Sequence, residues 1–298
     1  MHWNKVALVG VGLLGGSLGL AVRGRGLADA VHGLVRRKET IEEAQRCGAV
    51  DHASLAPEEV IDGADLVVLC TPLSQMRTLT EACLPHLSAG TIVTDVGSVK
   101  GSVVHDLESL VAEGGGRFVG SHPMAGSEQS GVGAAQEGLF VDAPCVVTPT
   151  SRTDGEALAQ VEALWQSVGG RVMRLEPEVH DALVCRVSHL PHVLAAALAR
   201  YVLSPEFPAA QASLCATGFR DTTRVASGSP GMWRDICRAN REPLSRMIES
   251  LMGQLDEFRA RLAQKDPEGL EAFFKEAKER RDQWEQQWQQ RGRSSPAE

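Results

Sequence analysis

Up to about residue 175 the chain alternates short apolar runs with longer amphipathic stretches, and beyond that point the short runs stop. Apolar runs bounded by glycine, proline or charge fit strands buried on both faces of a parallel sheet, and the stretches between them fit crossover helices. The pattern predicts strands over 5–10, 30–35, 66–70, 92–95, 118–121, 145–148 and 171–175, with helices over 15–25, 40–47 and 75–87 among them. After Glu176-Pro177 the periodicity is helical, over 179–201, 245–262 and 267–290. Leu251, Leu255, Phe258 and Leu262 fall on one face of such a helix, and that face needs a partner surface. The polar tail 291–298 is expected to fray.

Composition narrows the class. With 298 residues and 43% hydrophobic content the chain can bury more than one core, so two domains are expected, 1–175 and 176–298. A formal charge of −8 without a polybasic stripe argues against nucleic acid as a partner. Met-His-Trp-Asn-Lys leads straight into the first strand with no signal-peptide pattern, and no apolar run approaches the ~20 residues that span a bilayer. A cytoplasmic protein with no membrane partner is therefore expected. The seven cysteines are scattered without a Cys-x-x-Cys pair, the usage of reduced, buried thiols.

The first apolar run ends in Gly10-Val-Gly12-Leu13-Leu14-Gly15, directly before a helical stretch. A Gly-x-Gly-x-x-Gly loop between strand and helix is the dinucleotide fingerprint: Gly10 for the tight turn, Gly12 for close approach of the pyrophosphate, Gly15 for packing of the helix on the strand, with the helix N–H groups facing the anion. The fold class is thus α/β, a Rossmann-like, mostly parallel sheet followed by an all-helical domain. In NAD-binding chains an acid near the end of the second strand holds the ribose. Here Val35-Arg36-Arg37-Lys38 stands in its place, and an arginine suits a 2′-phosphate, which favours NADP over NAD; the alternative is a solvated basic helix start. Thr71 and Pro72 at the end of the third predicted strand, and Asp95 at the end of the next, are assigned to the same cofactor crevice.

Further polar motifs lie where such sheets place ligands: Asp95-Val-Gly-Ser98-Val-Lys100 and Gly120-Ser-His122-Pro-Met-Ala-Gly-Ser-Glu128. Val187-Ser-His189-Leu-Pro-His192, Gly218-Phe-Arg220-Asp221-Thr-Thr-Arg224 and Met232-Trp233-Arg-Asp235-Ile follow in order. As a set they resemble the prephenate/arogenate dehydrogenase family of tyrosine biosynthesis over nearly the whole chain. The resemblance implies a helical dimerisation domain, a homodimer, and oxidative decarboxylation of prephenate or arogenate with hydride transfer to a nicotinamide cofactor. It implies that His122 is the catalytic histidine, with Ser98 beside the same substrate hydroxyl; a neutral imidazole can accept that hydrogen bond. It assigns Arg224 to a substrate carboxylate, His192 and Glu128 to the pocket, and Trp233 to completing the neighbouring subunit's site. Asp221 would hold Arg224 in place or form a surface ion pair, and Glu128 would be a pocket acid or a loop charge.

His189 and His192 have the spacing of half a metal site, but no further ligand set accompanies them, so no metal is expected and His189 is read as a structural hydrogen-bonding residue. Thr217 stands where some relatives have glycine and would narrow the pocket near the substrate side chain, leaving prephenate versus arogenate open. With no chorismate mutase segment before Lys5 and no room for a regulatory ACT domain, any tyrosine inhibition is expected at the active site. Two other readings are kept: a β-hydroxyacid dehydrogenase, which would need a lysine on a helix of the second domain where only Lys265, Lys275 and Lys278 occur, and a catalytically silent dinucleotide sensor, which would not need Ser98, His122 and Arg224 together.

Overall fold

The structure, a computed structural model, describes residues 1–127 and 129–293. Its strands are β1 (Trp3–Val9), β2 (Ala28–Leu34), β3 (His52–Ser54), β4 (Leu66–Leu69), β5 (Ile92–Asp95), β6 (Arg117–Pro123), β7 (Pro144–Thr148) and β8 (Arg171–Arg174). They form an eight-stranded sheet in the order β3-β2-β1-β4-β5-β6-β7-β8. From β3 to β6 every pair is parallel; β7 runs antiparallel to β6, with His122 opposite Val146, and β8 is parallel to β7. Each predicted strand has its counterpart. The one without a prediction, β3, has three residues, too few to show a period.

The helices between strands are α1 (Leu13–Gly24), α2 (Lys38–Arg46), α3 (Pro57–Ile61), α4 (Leu73–Cys83), α5 (Gly101–Glu113) and α6 (Gly155–Ser167). After the sheet come α7 (Pro177–Val184), α8 (Leu190–Val202), α9 (Ala209–Ser213), α10 (Thr217–Thr223), α11 (Pro230–Ala239), α12 (Arg241–Gln264) and α13 (Pro267–Arg293). Two apolar clusters form the core: Leu8, Leu18, Val31, Val68 and Trp165 belong to one, and Val9, Leu69, Ile61, Val93 and Leu107 to the other. Alternate residues of β1 and β4 enter opposite clusters, as a strand buried on both faces requires.

Met1–Pro243 forms one compact unit and the chain from Leu244 a second. Strands end at β8, near the expected position, but α7 packs on α5 and α11 on α4, so the first unit continues well past the sheet. In the second unit the Phe258 ring packs on Phe273, 4.9 Å between centroids, giving the α12 apolar face its partner in α13. Leu255 and Leu262 of that face remain exposed.

Pro177–Val202 is a 26-residue helical stretch apolar enough by length and composition to cross a membrane. It also carries His189 and His192, which line the cleft described below, and His180 and Asp181, which lie behind it. Pro191 has no N–H to give to Val187 and its ring would strike that carbonyl; the chain widens into a π turn over Cys185–His189 there. The cysteines are all free, but only Cys83, Cys145 and Cys185 are buried, and Cys47 is exposed, so burial is less general than expected.

Candidate active site

Two concavities open at the carboxyl ends of the parallel strands, where open α/β sheets bind ligands. The first, about 480 Å³, lies at the point where strand order reverses between β1 and β4, and is lined by Gly10, Gly12, Val35, Arg36, Arg37, Thr71 and Pro72. Gly10 has φ +97°, and a Cβ there would lie 2.7 Å from the Cys70 carbonyl oxygen. A Cβ on Gly15 would lie 2.1 Å from the Gly10 oxygen, which is why α1 can sit so close behind the strand. Around Gly12 a Cβ would meet nothing within 4 Å, and α1 begins without a side-chain cap. Its first-turn N–H groups therefore face open space at the positive end of the helix dipole. The buried Thr71 hydroxyl in the groove wall has no partner among the described residues. This cradle fits the pyrophosphate of a dinucleotide.

Arg36 and Arg37 line the far end of the groove, both exposed. Glu43, one turn into α2, lines it too, an acid that spacing from the second strand did not reveal. Leu13, Leu14 and Gly15 offer the groove their backbone N–H groups and not their side chains: Gly15 is buried behind it, and Leu14 packs against the core. Asp95 departs most from expectation. It is fully buried, its carboxylate pairs with the fully buried Lys100 ammonium and accepts from Ser121 N at 3.0 Å and Gly97 N at 2.8 Å. With three donors taken inside the protein and no surface exposed, it holds the turn after β5 to β6. Lys100 also donates to the Ser121 carbonyl, 2.8 Å; burial lowers its pKa and Asp95 opposes that.

The second cleft, about 310 Å³, brings together Ser98, His122, His189, His192, Arg224 and Trp233. Ser98 comes from the turn after β5, His122 from the end of β6, His189 and His192 from the π turn and α8, Arg224 from the turn after α10, and Trp233 from α11. The His192 ring stacks on Trp233, 3.4 Å between centroids. Gly228, which no sequence signal picked out, makes this possible: a Cβ there would lie 2.8 Å from the Trp233 indole nitrogen. Trp233 was expected to complete a neighbouring subunit's site; here it walls the cleft of its own chain. Thr217 and Asp221 do not line it. Asp221 is exposed and takes the Arg220 guanidinium at 3.2 Å, the surface ion pair rather than the clamp on Arg224. Glu128 lies outside the described residues.

His122 is anchored from behind. Its Nδ1 lies 2.8 Å from His180 Nε2, and His180 Nδ1 lies 2.8 Å from Asp181 Oδ1. The Asp181 carboxylate accepts in addition from Lys100 N, 2.7 Å, and Gly101 N, 2.9 Å, at the start of α5. Burial, then the neighbouring His180, Lys100 and His189, push the His122 pKa well below the usual histidine range, so the ring is neutral at pH 7. His189 is held by Asn240, whose amide donates to its Nδ1, 3.1 Å, and to the Asp181 carbonyl, 2.9 Å. Burial lowers its pKa to about 4. His180, Asp181 and Asn240 were not singled out from sequence, because they lie outside the recognisable motifs and meet His122 and His189 only through packing of α7 and α11. No group of metal-binding side chains occurs among the described residues.

A cofactor cradle beside a cleft with a neutral histidine and an arginine is what a dehydrogenase of a carboxylate substrate requires. The family profile "Prephenate dehydrogenase, nucleotide-binding domain" matches residues 18–174, and "Prephenate dehydrogenase, dimerization domain" matches 176–276. The chain belongs to the prephenate dehydrogenase family. It is 35% identical to a prephenate dehydrogenase of Bacillus subtilis, over 94% of this chain and 76% of that one. It is 32% identical to a cyclohexadienyl dehydrogenase of Zymomonas mobilis, over 94% and 95%. Among solved structures, prephenate dehydrogenase from A. aeolicus in complex with hydroxyphenyl propionate and NAD+ superposes with a TM-score of 0.88 at 34% identity, over 95% of this chain and 99% of that one. Synechocystis arogenate dehydrogenase superposes with 0.79 at 32%, over 94% and 99%. Likeness to 3-hydroxyisobutyrate dehydrogenase of Salmonella typhimurium, TM-score 0.58 at 14% identity, concerns the fold alone.

Proposed function

We propose that the chain oxidatively decarboxylates prephenate or arogenate, giving 4-hydroxyphenylpyruvate or tyrosine, and that it prefers NADP to NAD. The observation that carries the reading is the convergence of Ser98, His122, His192 and Arg224 on one cleft beside the cofactor groove. When bound in that groove, the nicotinamide supplies the acceptor for the hydride that leaves the ring carbinol carbon. His122 Nε2 takes the hydroxyl proton, Ser98 fixes the hydroxyl, and Arg224 clamps a carboxylate. As CO₂ departs, its electron pair enters the ring and aromatises it to the phenol. His192, flat against Trp233, forms a wall for the cyclohexadienyl ring. Glu128 is kept as the pocket acid, whereas Thr217, which does not line the cleft, is given no pocket role.

Arg36 and Arg37, with no acid directly before them, support the NADP preference. We keep the functional division at 175/176; the family profiles, which match 18–174 and 176–276, support it, although the compact units divide at Pro243/Leu244. The exposed side chains Leu183, Val187, Leu194, Leu198 and Tyr201, recurring at helical spacing along α7 and α8, support a homodimer through this face. Tyrosine keeps the product's ring and a carboxylate, and is expected to compete in the cleft. We read the enzyme as cytoplasmic. The test is to supply prephenate or arogenate with NAD or NADP and follow reduced-cofactor absorbance; no reduction with any pairing would overturn the assignment.

A further inference from the structure

Resting on the reaction proposed above, we infer that His180 and Asp181 are positioning residues that fix which nitrogen of His122 carries the proton. A carboxylate only accepts hydrogen bonds, so the 2.8 Å contact from Asp181 Oδ1 requires a proton on His180 Nδ1. A neutral His180 then presents a bare Nε2, and the 2.8 Å contact to His122 requires a proton on His122 Nδ1. His122 Nε2 is left as a lone pair on the cleft side, the form a proton acceptor needs. The direction originates in the backbone, because the Asp181 oxygens are held by two N–H groups at the start of α5. The chain is buried throughout: His180 is 0% exposed, and Asp181 and His122 are each 7% exposed. Water therefore has little access to supply an alternative proton path. After proton transfer, the imidazolium at His122 gives its Nδ1 hydrogen bond to a ring already polarised by a carboxylate, which favours the charged form exactly when the reaction makes it.

The charged and titratable neighbours of His122 are His180 and Asp181 on α7, Lys100 at the start of α5, His189 in the π turn, and His192 and Arg224 across the cleft. Lys100 is committed to Asp95, and His189 to Asn240, so neither competes for His122 Nδ1.

The first variant is Asp181→Asn. Asp181 Oδ1 accepts from both Lys100 N and His180 Nδ1 and Oδ2 accepts from Gly101 N, so an amide cannot serve all three donors: its nitrogen either opposes Gly101 N–H or takes the place of the oxygen that His180 Nδ1–H needs. In either placement the negative charge that fixes the proton on His180 Nδ1 is gone, so the order of donors along His180 and His122 is no longer imposed. Turnover should fall by roughly 10²-fold or more at little change in KM. Because Asp181 also anchors α5, a second pair of variants keeps the test decisive. His180→Gln can accept from His122 through its oxygen and donate to Asp181 through its nitrogen, so it should retain turnover within about tenfold. His180→Leu should lose roughly 10²-fold. Nitrogen-15 correlation spectra of the full chain read the tautomer directly, with or without activity: Nδ1–H on His122 in the wild type and in His180→Gln, with Nε2–H appearing in His180→Leu, where the acceptor for Nδ1–H is gone. An Nε2–H His122 in the wild type, or equal losses in His180→Gln and His180→Leu, would overturn the inference. Absence of wild-type turnover with either substrate would instead overturn the assigned reaction, while leaving the tautomer measurement to decide the relay.

Discussion

The cofactor groove and the substrate cleft stand side by side on one sheet, yet they are made of different materials. The groove is made of backbone: a left-handed glycine, a glycine pressed on a carbonyl, and the uncapped start of a helix, all within Gly10–Gly15. The cleft is made of side chains from five separated segments, each aimed by its own strand end or helix, with His122 and His189 backed by buried partners. Backbone recognition of a phosphate tolerates changes elsewhere, whereas a cleft of converging side chains loses function when any one of its supports moves. Substitutions in the cleft should therefore cost turnover or substrate affinity while leaving cofactor binding alone.

The largest effect is expected for His122→Asn, which removes the proton acceptor and should lower turnover by roughly 10²–10⁴. Cofactor affinity, measured by fluorescence titration, should be unchanged; near-wild-type turnover would remove His122 from the reaction. Arg224→Ala should raise KM by about 10–100-fold, since a charge-assisted hydrogen bond contributes about 1.5–3 kcal/mol. Arg224 is an exposed residue, which argues for the lower part of that range. An unchanged KM would place the carboxylate elsewhere.

Acid should expose the same contrast in stability. His189 titrates at about 4 in the folded chain against 6.5 when unfolded, so the unfolded chain binds the extra proton as pH falls through that window. Folded-state stability should then drop by about 1.4 kcal/mol per pH unit between those values, visible as a falling urea midpoint. A midpoint insensitive to pH from 6.5 down to 4 would show that the cleft opens to water. His122, lowered by burial in the same sense, acts in the same direction and keeps the acid limb of the turnover profile below the ordinary histidine value.

The smallest effect belongs to the groove. Arg36→Ala should reduce the NADP over NAD ratio in catalytic efficiency by up to about 1 kcal/mol, roughly fivefold, because the side chain is exposed and screened. A wild-type preference for NAD would mean that Glu43, not Arg36, reads the ribose.

This contrast also explains what could be read in advance. The glycine loop is contiguous, and its spacing states its geometry, so the groove was legible from residues 10–15 alone. The sheet was legible because strands buried on both faces leave continuous apolar runs, and it failed only at His52–Ser54, where the strand is shorter than its own period. His122, Ser98, His192 and Arg224 were legible only as members of a motif set, since nothing local distinguishes Arg224 from Arg220 or Arg234. Asp95 was misplaced because a strand-end acid looks the same in sequence whether it meets a ribose or a buried lysine. His180 and Asp181 were missed because their meaning lies in a contact spanning 58 residues of chain.

The most direct test combines both regions in one protein, the triple variant Ser98→Ala, His122→Asn, Arg224→Ala. Its cofactor dissociation constant and its turnover would be measured beside those of the wild type. A groove made of backbone predicts a dissociation constant within about threefold of wild type, well under the tenfold that 1.4 kcal/mol would bring, together with loss of turnover. Retained turnover, or loss of cofactor binding in a folded variant, would contradict the division of labour between groove and cleft.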